Sequence, residues 1–119
     1  MNEQLIARRF SRWLKDQSRN LPLYYLKVHG HRHQRVGVAD YWLTTQGRSV
    51  QIELKGPDKK PMGTPIQERE LRLHSEAGGD SWVCTDLDAS KAVVLNALGI
   101  VDDEDLSEFI DRGVLRRVQ

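Results

Sequence analysis

The spacing of apolar residues over positions 3–18 predicts an amphipathic helix, because they recur at helical intervals while most Arg and Lys lie off that stripe. Three segments rich in strand-forming residues follow at 23–28, 38–44 and 49–55. The last two flank a polar Gln46-Gly47 turn, so we expect them to pair as an antiparallel hairpin. The apolar stripe of the helix consists of Leu5, Ile6, Phe10, Trp13 and Leu14.

Proline and glycine interrupt the strand pattern over 56–63, which we interpret as a loop. Thr64-Pro65 then fits a helix start, with Thr64 as the N-cap and proline at the first helical position, and this helix should end near Ala77. The pattern further predicts a buried strand at 81–85, a helix at 88–99, a short acidic helix at 102–111 and an irregular tail at 114–118.

The order helix, three strands, helix, strand, helix predicts an α/β fold with a mixed central sheet flanked by helices. The first helix should cover one face of that sheet. No repeat or low-complexity tract marks a boundary, so we treat residues 1–119 as a single domain. Trp13, Trp42 and Trp82 lie on predicted elements and are assigned to the core. The apolar run at 92–101 is also assigned to the core, with a dimer interface as the alternative.

The composition is that of a globular chain without a membrane segment. Apolar residues make up 39% and charged residues 29%, and no apolar run approaches the ~20 residues of a transmembrane helix. The first residues lack the apolar core of a signal peptide. Cys84 is the single cysteine, which excludes an internal disulfide and a thiolate metal cluster, so a cytoplasmic location is expected.

Charge is distributed unevenly along the chain, although the net charge is only +1. Residues 1–72 hold 14 Lys and Arg against 7 Asp and Glu, whereas residues 73–119 hold 4 against 10. If the two parts face different sides, the folded surface has a basic side that attracts a phosphate backbone.

Two carboxylates occupy the predicted central strands. Side chains alternate along a strand, so Gln51, Glu53 and Lys55 share one face. Pairing around the turn places Asp40 near Glu53, and carboxylates that close repel each other unless a proton or cation separates them. Oxygen ligands without cysteine favour Mg²⁺ or Mn²⁺ over zinc. The alternative is an ion pair between Glu53 and Lys55, with Asp40 as a surface acid.

These residues resemble the VRR-NUC family of PD-(D/E)XK nucleases, especially its stand-alone bacterial and phage members. The family commonly has Pro before the metal-binding Asp, where this chain has Ala39. The resemblance covers roughly residues 37–90 and implies a restriction-endonuclease-like αβββαβ core. The matching segments are "GVAD" (37–40), "IELK" (52–55), "GPDKKPMGTPIQ" (56–67) and "SWVCT" (81–85).

The resemblance implies roles for individual residues. Asp40, Glu53 and the main-chain carbonyl of Leu54 would bind Mg²⁺, for which Mn²⁺ would substitute. Lys55 would orient or deprotonate the attacking water, or offset charge on the transition state. Such groups suit a phosphodiester, because its negative charge repels hydroxide and hydrolysis needs cations at the phosphate and a positioned water. No organic cofactor is expected.

Glu3 and Gln67 each have two interpretations, and both are kept as candidate catalytic residues. Glu3 shares the helical face of the apolar stripe, and the resemblance would have it reach the metal site. An acid in the first turn also stabilises a helix through its dipole. Gln67 matches a glutamine beside the active site of the family, but it also fits a capping box with Thr64.

The segment from 27 to 60 holds the candidate DNA-binding residues. His29, His31 and His33 alternate within it, which we interpret as a solvated, cationic loop facing DNA. A zinc site is the alternative, although no fourth ligand is evident. The candidate DNA contacts are Lys27, Arg32, Arg35, Lys59 and Lys60.

The function that the resemblance implies is a metal-dependent endonuclease that leaves a 5′-phosphate and a 3′-hydroxyl. Stand-alone members resemble resolvases of four-way (Holliday) junctions, so branched DNA is the expected substrate, recognised by shape more than by sequence. A homodimer is expected, because symmetric cleavage of a junction needs two sites related by a two-fold axis. The alternatives are a flap nuclease, a restriction-type or phage DNA-processing nuclease, and an inactive DNA-binding module of the same fold.

Overall fold

The computed structural model describes residues 1–29 and 35–119, which form four helices and one five-stranded sheet. The predictions for His31, Arg32 and His33 fall outside the described residues. None of the helices in the described part is long and apolar enough to cross a membrane. In chain order the elements are α1 (Glu3–Ser18), β1 (Tyr24–Lys27), β2 (Tyr41–Thr45), β3 (Arg48–Leu54), α2 (Pro65–Glu76), β4 (Asp80–Cys84), α3 (Leu87–Ala97), α4 (Asp103–Asp111) and β5 (Leu115–Val118).

The five described strands form one mixed sheet in the order β1-β2-β3-β4-β5. The first three are an antiparallel meander. β4 then pairs parallel to β3, because α2 carries the chain back along the sheet, and β5 closes the sheet antiparallel to β4. The mixed α/β architecture with flanking helices is therefore confirmed.

The hairpin between β2 and β3 has the short turn that the sequence predicted. Gln46 and Gly47 both have positive φ, 50° and 84°, which is the backbone of a type I′ turn and matches the twist of the two strands. Thr45 pairs with Arg48 across this turn, and the register continues to the pair Tyr41–Ile52. The turn thereby fixes which residues of the two strands lie opposite each other.

Two hydrophobic clusters cover the two faces of the sheet. On one face, α1 and α3 pack against inward side chains of the central strands, and Phe10 contacts Tyr41 edge to face with ring centroids 4.9 Å apart. On the other face, Leu71 of α2 packs with Ala39, Val83 and Val118. The predicted cover of one face by the first helix is confirmed. The first cluster includes Ile6, Leu14, Leu43, Val50, Ile52, Leu54, Trp82, Val93 and Leu115.

Two predictions about the core and the elements are wrong. Residues 114–118 are not an irregular tail, because Leu115–Val118 forms β5. Trp42 is not a core residue, since 40% of its surface is exposed. Trp82 is buried and Trp13 packs against the core as predicted. The run at 92–101 contributes Ala92, Val93, Val94 and Ala97 to the core.

Candidate metal centre

Asp40 lies immediately before β2, whereas the predicted strand at 38–44 included it. Main-chain hydrogen bonds hold it in place. Its carbonyl accepts a hydrogen bond from the Val28 amide at 2.7 Å. Its Oδ2 accepts one from the Leu54 amide at 2.8 Å, across the hairpin. Asp40 therefore bridges the end of β1 to the end of β3.

A glycine fixes the approach to Asp40. Gly37 has a φ of 86°, a conformation that side chains disfavour. A Cβ at this position would also collide with Ile66 in the first turn of α2. Gly37 thus lets the segment before Asp40 pass close to the helix that carries Gln67.

Glu53 extends the register by one residue beyond the last β2–β3 pair, which places it opposite Asp40. It is only 3% exposed. Its Oε2 lies 3.4 Å from the Lys55 Nζ, whereas its Oε1 is buried and has no hydrogen-bond partner among the described residues. A buried carboxylate oxygen without a partner is costly, so this atom needs a proton or a cation.

The electrostatics of Glu53 agree with its geometry. Burial and, next, the negative charge of Asp40 raise the pKa of this carboxyl to about 7, although Lys55 and the Asp40 backbone partly offset both effects. The two acids that the sequence placed together are therefore in electrostatic contact.

Lys55 and Gln67 are also brought together, and the capping-box interpretation of Gln67 is confirmed. The Lys55 Nζ donates a hydrogen bond to Gln67 Oε1 at 2.8 Å. The same oxygen accepts one from the Thr64 amide at 2.9 Å, which completes the capping box of α2. Gln67 thus ties the lysine to the start of α2.

These residues fit a hard divalent cation. Asp40 and Glu53 present carboxylates from the two sides of the hairpin, and one of the Glu53 oxygens has no hydrogen-bond partner in the described part of the chain. Within residues 1–29 and 35–119, no group of three or more His, Cys, Asp or Glu side chains converges. A metal at this place would therefore have two carboxylates, Asp40 and Glu53, as its side-chain ligands among those residues.

Glu3 is not brought to this pair. It is exposed in the first turn of α1, beside the Asn2 side chain that caps the helix. It lines a surface cleft of about 760 Å³ together with the loop Gly56–Lys59, which follows β3. Glu3 therefore faces the loop next to Lys55 and not Asp40 or Glu53.

The candidate DNA-binding residues occupy different surfaces. Lys27 lines a cleft of about 570 Å³ between α1 and β1, with its Nζ 4.8 Å from the centroid of the Tyr41 ring. Lys59 and Lys60 are exposed in the loop after β3. Arg35 is largely exposed, but its guanidinium donates a hydrogen bond to Glu70 Oε2 at 2.8 Å.

The cleft beside Lys27 is lined by a second cationic side chain, which the sequence pattern did not distinguish. Arg8 of α1 and His29 line it together with Lys27, and its described lining residues include no carboxylate. In the sequence, Arg8 is one of several polar-face arginines on α1. Only the packing of α1 against β1 distinguishes it from the others.

Strand β5 contributes a second feature that the sequence did not reveal. Arg116 forms an ion pair with Glu68 and donates a hydrogen bond to the Pro61 carbonyl at 2.8 Å. Glu68 also accepts a hydrogen bond from the Gly63 amide at 2.8 Å. β5 therefore fastens the loop that links Lys55 to α2.

Replacing Arg116 with Ala is expected to loosen this loop and lower the free energy of unfolding by about 1–2 kcal/mol, because a partly buried, charge-assisted network is lost. Urea unfolding would measure the stability, and trypsin cleavage after Lys59 would report on the loop. Arg72→Ala is the control, since Arg72 and Glu76 form an exposed pair at 3.7 Å. Equal effects of the two variants would contradict the anchoring role.

Compared with known proteins, the chain matches no family profile, no curated protein sequence and no solved structure. The fold and the arrangement of Asp40, Glu53, Lys55 and Gln67 therefore carry the functional argument.

Proposed function

We propose that this protein is a metal-dependent endonuclease of the PD-(D/E)XK type, similar to the VRR-NUC family, that cleaves branched DNA. The observation that carries the proposal is the buried Oε1 of Glu53, which has no hydrogen-bond partner among the described residues and lies on the strand facing Asp40. A structural ion pair with Lys55 alone would occupy one carboxylate oxygen and leave this one unexplained.

The fold supports the proposal. Helix α1, the meander β1-β2-β3, the crossover helix α2 and the parallel strand β4 follow the αβββαβ order of a restriction-endonuclease-like core. The two acids and the lysine lie where the meander meets α2. Fold order alone fits many functions, so the site chemistry remains the stronger argument.

Asp40, Glu53 and the Leu54 carbonyl would hold Mg²⁺, with Mn²⁺ as a substitute. A bound divalent cation supplies positive charge at the phosphate and lowers the pKa of water. Lys55 brings a second positive charge to the same place, either to orient and deprotonate the attacking water or to offset charge in the transition state. Gln67 positions the Lys55 ammonium through its hydrogen bond.

The surface around the site has the charge that a DNA backbone requires. Arg8 and Lys27 line a cleft without a described carboxylate, and β1 leads from it to the amide that holds Asp40. Lys59 and Lys60 are exposed in the loop that follows Lys55. Phosphates of a bound DNA would thus meet cations on these surfaces.

A four-way junction is the proposed substrate, and a homodimer is the proposed assembly. Resolution of a junction requires paired cuts, and two copies related by a two-fold axis would present two equivalent sites. Each cut would leave a 5′-phosphate on one side of the cleaved bond and a 3′-hydroxyl on the other.

This function is tested by incubating the protein with labelled four-way junction, flap or linear duplex, each in Mg²⁺, Mn²⁺ or EDTA. We expect paired cuts in the junction with either metal and none in EDTA, together with a dimer in sedimentation. Preferred cleavage of the flap or of the duplex would identify the flap or restriction-type alternative. Binding without cleavage in Mn²⁺ would overturn the proposal in favour of an inactive DNA-binding module.

A further inference from the structure

Trp42 is an unusual residue for the middle of a central strand. It pairs with Leu26 of β1 and Gln51 of β3, yet 40% of its surface is exposed. The reason is that α2 packs mainly against β4 and β5, so no helix of residues 1–29 and 35–119 covers the same face of β1 and β2.

Trp42 lines a cavity of about 280 Å³ whose other described lining residues are four polar or charged and two apolar side chains. Gln51 offers an amide, and Arg35 and Glu70 face each other as an ion pair. His74 is held by two serine hydroxyls, 2.8 Å from Ser49 Oγ and 2.6 Å from Ser81 Oγ. The cavity thus combines one large aromatic surface with hydrogen-bonding groups at fixed positions.

The cavity lies next to the candidate metal centre on the same face of the sheet. Gln51 and Glu53 are two residues apart on β3, which corresponds to roughly 7 Å along a strand. On this face of the sheet, the cross-strand pair Trp42–Gln51 is therefore next to the pair Asp40–Glu53. An occupant of the cavity would be a close neighbour of a group bound at the metal centre.

We propose that this cavity receives an unpaired DNA base, stacked on Trp42, from a nucleotide beside the scissile phosphate. The proposal rests on the proposed nuclease function and adds a requirement to it: the substrate must present an unpaired or unstacked base near the cleavage site. Every base has a π-face, so stacking on Trp42 tolerates any sequence. Gln51 and Arg35 supply groups that hydrogen-bond to base edges.

The size and polarity of the cavity favour a base over a protein segment. Pockets for drug-sized ligands enclose roughly 300–1,000 Å³, so this cavity suits a single flat ring system. A helix about 10 Å wide does not enter such a space. The cores of protein interfaces are depleted in charged residues, whereas this cavity contains the Arg35–Glu70 ion pair.

The test compares Trp42 variants on DNA with single missing bases. Binding of a labelled single-stranded oligonucleotide is measured in EDTA, where no cleavage occurs, with a series of strands that each contain one abasic position. Trp42→Leu removes the aromatic ring, Trp42→Phe retains one, and Tyr24→Ala is the matched control. Tyr24 is an exposed aromatic residue of β1 that does not line the cavity.

We expect Trp42→Leu to weaken binding roughly 5- to 100-fold, and Trp42→Phe to restore most of it, since stacking on an aromatic ring contributes an effect of this size per base. One abasic position should weaken binding to the native protein by a similar factor and should cause no further loss in Trp42→Leu. Tyr24→Ala should bind like the native protein.

Two binding results would overturn the proposal: additive losses of affinity from Trp42→Leu and from every abasic position, or equal losses of affinity in Trp42→Leu and Tyr24→Ala. A change of oligomeric state in Trp42→Leu would also overturn it, because this face would then be a contact between copies. The binding assay is independent of catalysis. If the effects of Trp42→Leu and of the abasic position are not additive but no DNA is cleaved in Mn²⁺, the nuclease function is contradicted and the base site is supported. If Trp42→Leu binds DNA and cleaves a four-way junction as the native protein does, the base site is contradicted and the nuclease function is supported.

Discussion

Replacing Asp40 with Asn, or Glu53 with Gln, should reduce cleavage of the four-way junction in Mg²⁺ by about 1,000-fold or more, because each change removes one of the two proposed carboxylate ligands and its charge from the proposed reaction centre. Both variants should fold. An asparagine at 40 retains an oxygen that can accept the Leu54 amide, and a glutamine at 53 fits the same buried space.

Single-turnover cleavage of the labelled junction measures this loss, and circular dichroism checks the fold. Asp58→Asn is the matched control, since Asp58 is an exposed acid in the loop that follows Lys55 and should change the rate less than about twofold. Glu3→Gln, run beside it, decides whether the cleft between α1 and that loop contributes to catalysis. Native rates in either metal-centre variant, or cleavage in EDTA, would refute the assignment of the site.

Glu53→Gln is also expected to make the metal-free protein more stable at pH 8, by about 1–3 kcal/mol, since each unit of pKa shift corresponds to ~1.4 kcal/mol. Burial and the charge of Asp40 raise the pKa of Glu53 from 4.5 to about 7. Between these values the folded state keeps a proton that the unfolded state releases. The stability of the native protein should therefore fall as pH rises through this window and level off above it.

Urea unfolding in EDTA at a series of pH values measures this effect, with Glu76→Gln as the control because Glu76 is an exposed acid on α2. The two curves for the native protein and Glu53→Gln should meet near pH 4.5 and separate above it. Mn²⁺ at 100 times its Kd should raise the stability of the native protein at pH 8 by about 2.7 kcal/mol and leave that of Glu53→Gln nearly unchanged. A native protein that Mn²⁺ does not stabilise would rule out a metal between these acids.

The elements with strong local signals were predictable from the sequence. The apolar stripe predicted a helix over 3–18, and α1 spans Glu3–Ser18. Gln46-Gly47 predicted the hairpin, whose turn requires two positive φ values that these residues tolerate. The register of that hairpin was enough to place Asp40 beside Glu53, so the centre of the candidate site followed from a local pattern.

The features that depend on distant packing were not predictable. β5 is short, contains two arginines and pairs with a strand more than 30 residues earlier, for example Val118 with Ser81. The exposure of Trp42 depends on where α2 packs, and nothing in the strand itself shows this. That Glu53 Oε1 has no partner among the described residues follows from the packing around it, since the Glu-x-Lys pattern alone also describes an ordinary ion pair.

The hairpin also determines when the two acids meet during folding. Asp40 and Glu53 are joined by one short turn, whereas Gln67 reaches Lys55 only through the loop and the crossover helix. Hairpins form in roughly 1–10 μs, well before the non-local pairing of parallel strands. The repulsion between the acids therefore arises early, in a nascent hairpin still open to water and ions, so a cation captured at that stage would speed folding as well as stabilise its product.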